Sequence, residues 1–256
     1  MSWERAGHHW GKQAWDWAIY QEPIADNLYD ATLTALDVRA GVHLVDIGCG
    51  SGIAVQRSVA RGATATGVDA SEGLLDIAAQ RTEATWVLAG MTDIPLPDGA
   101  FDVVTSFNGL QFGGPDAVAE AARLLRPGGR MGVGFWSDLG EYGRLFAAVA
   151  SLAPPPDPNA PSPMGFAVPG VAEDALTSAG LTVLSRATVQ VIGLYRNAAE
   201  AARGFGSSGP ASVAVEHSGV DAVSDAIRSV VESHADPDTG VVRLVGAMDY
   251  VIAERP

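Results

Sequence analysis

The chain has one cysteine, Cys49, and one lysine, Lys12, among its 256 residues. A single cysteine excludes an internal disulfide. Positive charge is scarce throughout: 16 Lys and Arg stand against 30 Asp and Glu, for a net charge of −14. Such a surface repels phosphate backbones, and no Lys/Arg cluster offsets it, so nucleic acid and anionic membrane are excluded as partners. No apolar run approaches the ~18 residues needed to cross a bilayer. The opening MSWERAGHHWGK lacks the apolar stretch of a signal peptide, and a cytoplasmic location is expected. No Cys, His and acid residues recur at metal-ligand spacing, so no catalytic metal is expected. No internal repeat is visible. What is abundant is apolar: 47% of residues are hydrophobic, enough for one substantial core in a single α/β domain with a cap.

The most specific stretch is LVDIGCGSG at residues 44–52. An apolar run, Val42, Leu44, Val45 and Ile47, stops at Gly48, Gly50 and Gly52, after which the pattern turns helical. Glycine suits a tight strand-to-helix turn because the backbone angles are unusual and because a Cβ would hold a ligand away from the backbone. A second strand ends in Asp69, where nucleotide-binding α/β folds place a carboxylate for ribose hydroxyls. Dinucleotide sites use G-x-G-x-x-G; here the third glycine comes one residue early, with Ile53 at the expected position. Asp46 puts a negative charge where a pyrophosphate would be repelled and an α-ammonium attracted. The unit reads as an adenosine-cofactor site.

Along the chain, the patterns give strands at 43–47, 63–69, 84–89, 101–107 and 130–136, and helices at 52–61, 72–81 and 115–125. Strands alternating with helices imply a parallel sheet covered on both faces, with the ligand at the strands' C-terminal edge. Residues 153–163 hold six prolines and read as a stiff loop. A short helix ending at Gly180 and an alternating strand to about Tyr195 follow. Residues 197–236 form an insertion with one apolar face of Val223, Ile227, Val230 and Val231, and a long strand closes the chain. The expected fold is therefore a Rossmann-like, seven-stranded, mostly parallel sheet with helices on both faces, a reversed terminal hairpin and helical cap insertions. One domain spans 1–256: an N-terminal helical lid at 1–38, a core at 39–136, and the remaining core at 137–256 with the cap at about 195–238. Four of six tryptophans fall in the first 17 residues, and a helix with Ile24, Leu28, Ala31 and Ala35 on one face follows Pro23. The aromatic segment is expected to close over the site with Trp10 and Trp15 facing it; the alternative is that its rings only bury the first helix.

Asp46 to Gly52, with Asp69 downstream, resemble the first two motifs of the class I S-adenosylmethionine (SAM) methyltransferases. DIPLPDGAFD, FDVVTSFNGLQF and LLRPGGRMGVGFW resemble later segments of the UbiE-like small-molecule group, so the similarity runs over residues 40–136. By that resemblance Asp46, Gly48 and Gly50 hold the methionine end of SAM, Asp69 the ribose, and Ala70 the adenine, with Asn108 also at the cofactor. Cys49 is then a small loop residue rather than a nucleophile. The family's adenine-binding acid would fall at Gly90; Met91 is left to donate its backbone N–H and pack on the ring, and Asp93 either substitutes or caps the next turn. An acid introduced at Gly90 is expected to tighten cofactor binding.

The expected activity is methyl transfer from SAM to a small, largely apolar organic acceptor, at an undetermined O, N or C atom. The rival is a protein that binds SAM on this fold without transferring methyl; a nicotinamide reductase is disfavoured by the glycine spacing. Phe107-Asn108-Gly109 stands where enzymes acting on planar amide or base nitrogens carry N/D-P-P-Y/F. Phe107, Gln111, Phe112 and Trp136 are expected to floor the acceptor pocket. His217, read as the start of a cap helix, is the candidate base, with His8 and His9 as alternatives, should the acceptor need deprotonation.

Overall fold

A computed structural model describes residues 2–158 and 160–256. Its frame is a sheet of seven strands: β1 His43–Ile47, β2 Thr64–Asp69, β3 Thr85–Leu88, β4 Phe101–Phe107, β5 Leu125–Asp138, β6 Thr182–Tyr195 and β7 Val242–Glu254. The order is β3-β2-β1-β4-β5-β7-β6. β1 to β5 pair in parallel, and β7 lies antiparallel between β5 and β6. This is the Rossmann-like sheet with a reversed terminal hairpin that the strand pattern implies. β5 starts earlier than its apolar run. Phe101 pairs with Leu125 and Val103 with Arg130, so Arg126-Pro127-Gly128-Gly129 bulges out inside the strand.

Among the described residues the α-helices are α1 Trp3–Gly11, α2 Ala14–Asp16, α3 Asp26–Ala35, α4 Ile53–Ala60, α5 Glu72–Arg81, α6 Gly114–Leu124, α7 Gly143–Ser151, α8 Val171–Ser178, α9 Ala198–Gly206, α10 Gly209–Ser218 and α11 Val220–Glu232. The central strands are buried on both faces, as a covered parallel sheet requires. Leu44 packs on one face with Leu33, Val55 and Val103. Its neighbour Val45 packs on the other with Val104, Met131, Phe135 and Leu176.

Helices α9 to α11 form the cap between β6 and β7, and Val223, Ile227 and Val231 are its buried face. The N-terminal segment is more broken than its periodicity suggests. Between α2 and α3 come a π-helical turn, Trp17–Gln21, and a 3-10 turn, Glu22–Ala25. Pro23 sits in that turn, and the buried face of α3 is Leu28, Tyr29, Thr32 and Leu33, with Ala35 exposed. Among the described residues no helix is long and apolar enough to cross a membrane.

Candidate functional site

The sheet order reverses between β1 and β4, the switch point beyond whose strand C-terminal ends open α/β sheets bind their ligands. The glycine loop lies on it. Gly48, Gly50 and Gly52 have φ of 71°, 56° and 85°, a left-handed run that side chains resist. Gly52 also lets α4 approach its neighbour: a Cβ there would lie 2.8 Å from both Ala78 and Trp86. The third glycine of the loop thus serves close helix packing although it comes one residue early. The amides of Gly48 and Cys49 both donate to the Val68 carbonyl, tying the loop to β2.

Asp69 closes the loop from the other side. Its Oδ2 accepts from the Gly50 amide and its Oδ1 from the Ser71 amide, both at 2.8 Å. Asp46 is 2% exposed, and its Oδ1 accepts from Thr105 Oγ1 at 2.7 Å across the β1–β4 pair. Burial pushes the Asp46 carboxyl up to about 8 against that hydrogen bond, with Asp69 and Glu22 adding to the rise. Burial likewise raises Asp69 above the usual carboxylate range despite its backbone donors. The Cys49 thiol is pushed well up by burial and then by Asp69, so it stays protonated and unreactive.

Glu22 is a buried acid against the glycine loop that the sequence alone does not single out. It is 3% exposed, accepts from Ser51 Oγ at 2.5 Å, and pairs with Arg81. Burial raises its proton affinity, and Arg81 opposes that. A Cβ on Gly50 would lie 3.5 Å from Glu22 Oε1 and 3.6 Å from Trp17 Nε1. The N-terminal segment therefore rests on the glycine loop. The available signal was an acid set among apolar residues just before Pro23.

Helix α1 lies across the ends of β2 and β3, between α5 and α10. A Cβ on Gly7 would fall 1.8 Å from the Ala70 carbonyl oxygen, so only glycine allows this approach. Trp3 covers Gly90: a Cβ on Gly90 would lie 2.7 Å from its ring. The expectation that an acid at Gly90 would help is corrected by this contact, because the added carboxyl would collide with the indole. Met91 packs against Gly113 at the start of α6, and Asp93 is exposed.

Among the expected acceptor residues, Trp10 meets Trp17 at 4.8 Å and Phe112 at 6.4 Å between ring centroids. Phe107 meets Tyr29 at 4.8 Å, and Trp136 meets Tyr142 at 5.0 Å. Gln111 is buried, and its Oε1 has no partner among the described residues. Asn108 takes a left-handed φ of 54° and accepts from the Trp136 amide. Trp15 is the exception, at 59% exposed, while Trp17, two residues on and on the opposite side of the helical path, packs on Trp10. His217 lies exposed in the last turn of α10, not at a helix start facing the switch point. His8 is exposed too. His9 is buried, with Nδ1 3.0 Å from Ser212 Oγ, and burial lowers its proton affinity.

Residues 45–133 match the family profile described as a methyltransferase domain. That match covers the glycine loop, Asp69, Gly90 and the end of β4. The 27-O-demethylrifamycin SV methyltransferase of Amycolatopsis mediterranei is 35% identical over 124 residues, 44% of this chain and 45% of that protein. The demethylmenaquinone methyltransferase of Tropheryma whipplei is 39% identical over 112 residues, 40% of this chain and 44% of that protein, in line with the UbiE-like resemblance. The chain thus spans under half the length of these curated relatives. Geranyl diphosphate methyltransferase, solved in complex with SAM, shares the fold at a TM-score of 0.53 and 19% identity, covering 90% of this chain and 85% of that one.

Proposed function

We propose that the chain transfers the methyl group of SAM to a small, largely apolar organic acceptor. The observation that carries this is Asp46: a buried carboxyl with one neutral donor, raised to about 8, beside two further acids. Only Arg81 offsets this cluster among the described residues, and it is spent on Glu22. A cationic ligand fits such a site and an anionic pyrophosphate does not. SAM supplies an α-ammonium for Asp46 and a sulfonium methyl open to in-line displacement.

In this reading the Gly48 and Gly50 backbone and Asn108 flank the methionine end. Asp69 keeps lone pairs for the ribose hydroxyls after accepting its two amides. Ala70, Gly90 and Met91 frame the adenine, and Trp3 supplies a ring above Gly90 where the family's acid is missing. Trp10, Phe107, Gln111, Phe112 and Trp136 bound the acceptor, and the N-terminal segment keeps water from the transferring methyl. Aligning acceptor, methyl and sulfur in a dry site provides much of the rate without a base unless the acceptor is protonated.

The test is calorimetry against SAM, S-adenosylhomocysteine and NAD, followed by assay of S-adenosylhomocysteine release with an extract of the source organism. SAM should bind and NAD should not. Asp69→Ala should weaken SAM about 10- to 100-fold, since charge-assisted bonds are worth ~1.5–3 kcal/mol. Unchanged affinity in that variant overturns the cofactor assignment, and SAM binding with no release from any extract overturns methyl transfer.

A further inference from the structure

The N-terminal segment sets two polar atoms of opposite kind against the glycine loop. A Cβ on Gly50 would lie 3.5 Å from Glu22 Oε1 and 3.6 Å from Trp17 Nε1, so both atoms border the same backbone carbon. Trp17 is half-buried, and its Nε1 makes no hydrogen bond among the described residues yet stays open to water. Its N–H is unspent. Glu22 turns Oε2 to Ser51 Oγ and Arg81, and the Ile53 amide also favours its charged form. A carboxylate has about four acceptor positions, so Oε1 keeps room for a further donor.

Both side chains are held in place. Trp17 packs edge-on against Trp10, and Glu22 is buried beneath its ion pair. Arg81 brings positive charge to the same turn, because its Nη2 donates to the carbonyl of Ala18, the residue after Trp17. A donor beside a cation and an acceptor on a buried acid, both at Gly50, match a ligand end that carries an anion and a cation on neighbouring atoms. A neutral or purely anionic group would leave Glu22 unused. An α-amino acid terminus is such an end, and an adenosine without one is not. Glu22 is near enough to Asp46 to add to the rise of its carboxyl, and an ammonium has three N–H donors for the two acids to share.

We propose that Trp17 and Glu22 clamp the amino-acid end of SAM, the indole N–H donating to its carboxylate and Glu22 accepting from its ammonium, so that the cofactor draws the N-terminal segment onto the glycine loop. This deepens the methyl-transfer reading and rests on its cofactor.

The test titrates S-adenosylhomocysteine, which carries the amino-acid end, and 5′-methylthioadenosine, which lacks it, into the full chain by calorimetry. The native chain should prefer the first by about tenfold or more. Trp17→Phe keeps a ring against Trp10 and removes the donor; Glu22→Gln keeps a partner for Ser51 and removes the charge. Each should weaken S-adenosylhomocysteine about tenfold and leave methylthioadenosine within about twofold. In the native chain S-adenosylhomocysteine, and not methylthioadenosine, should slow amide exchange in α2 and the π turn. Equal affinity of the native chain for the two ligands overturns the clamp, as does a Trp17→Phe variant that binds S-adenosylhomocysteine as the native chain does. So does a Trp17→Phe variant that loses both ligands alike, because the ring and not its N–H would then matter. Should Glu22→Gln fail to fold, Trp17→Phe and the exchange pattern still decide. A folded native chain that binds neither ligand brings down the cofactor reading together with the clamp; one that binds S-adenosylhomocysteine through variants that do not discriminate brings down the clamp alone.

Discussion

The glycine loop is held by backbone, and the N-terminal segment that covers it is held by side chains. Amides of Gly48, Cys49 and Gly50 are fixed by the Val68 carbonyl and by Asp69, at the end of a strand inside a parallel sheet. The segment above is fastened by Glu22 to Ser51 and Arg81, by Trp17 and Trp10, by a small apolar contact of Ala14 and Ala18 with Leu74 and Ile77, and by Glu216 of the cap. Opening the first would break bonds to β2 in the interior of the sheet. The second has few buried groups and a broken helix, the marks of an element that opens below the free energy of global unfolding. In the reading proposed above the difference separates two roles: the loop positions the cofactor, and the segment admits and encloses it.

The severest way to break this comparison is to remove the cover. A chain beginning at Pro23 loses α1, α2, the π turn and the Glu22 carboxylate but keeps every strand. S-adenosylhomocysteine release should vanish while calorimetric unfolding stays cooperative, with a melting temperature lower by several degrees. Retained full turnover would show that the segment encloses nothing essential. Failure to fold would make it part of the core.

Next in size is the pH dependence that the buried acids impose. The carboxyl of Asp46 is raised from its ordinary value to about 8, so between those values the folded chain holds a proton that the unfolded chain has lost. Stability from this group is complete below the unfolded value and falls as pH climbs to about 8; Asp69 and Glu22, also raised, act in the same direction. The ligand-free protein should therefore melt lower at pH 8 than at pH 5. SAM affinity should run the opposite way, rising up to tenfold per pH unit until Asp46 is ionised, since the ammonium pairs with the carboxylate. Asp46→Asn should flatten both profiles. A native protein whose melting temperature and SAM affinity ignore pH over this range would remove the buried-acid argument.

The same contrast explains what was legible in the sequence. β1, β2 and β4, the glycine turn, Asp46 and Asp69 are set by local rules, a period of apolar residues and glycines where φ must be positive. They follow from residues adjacent in the chain. The covering segment follows from distant meetings. Trp15 and Trp17, two residues apart, lie on opposite sides of the helical path, and only the distant packing partners decide that Trp17 faces in and Trp15 out. Glu22 gains its buried place from Ser51 and Arg81, 29 and 59 residues away in the chain. His217 stands out by type alone, and its helix phase leaves it exposed.

The finest adjustment to the comparison is at Glu216. It receives Lys12 Nζ at 2.5 Å, Arg5 at 3.6 Å and His9 Nε2 at 3.7 Å, so two residues of α1 and the one just after it grip one carboxylate on α10. Glu216 is 38% exposed and Arg5 65%, so water and salt screen these pairs, and burial keeps His9 from carrying a full charge. In the proposed reading this clasp biases the cover toward closure without determining the fold. Glu216→Ala should raise hydrogen exchange of the α1 amides by a factor of about two to three and leave β1 and β4 untouched, with the melting temperature nearly unchanged. About 1 M salt should produce the same selective rise in the native chain. Exchange that rises equally in α1 and in β4 would mean the two regions open as one unit, and the distinction between a fixed loop and a removable cover would fall.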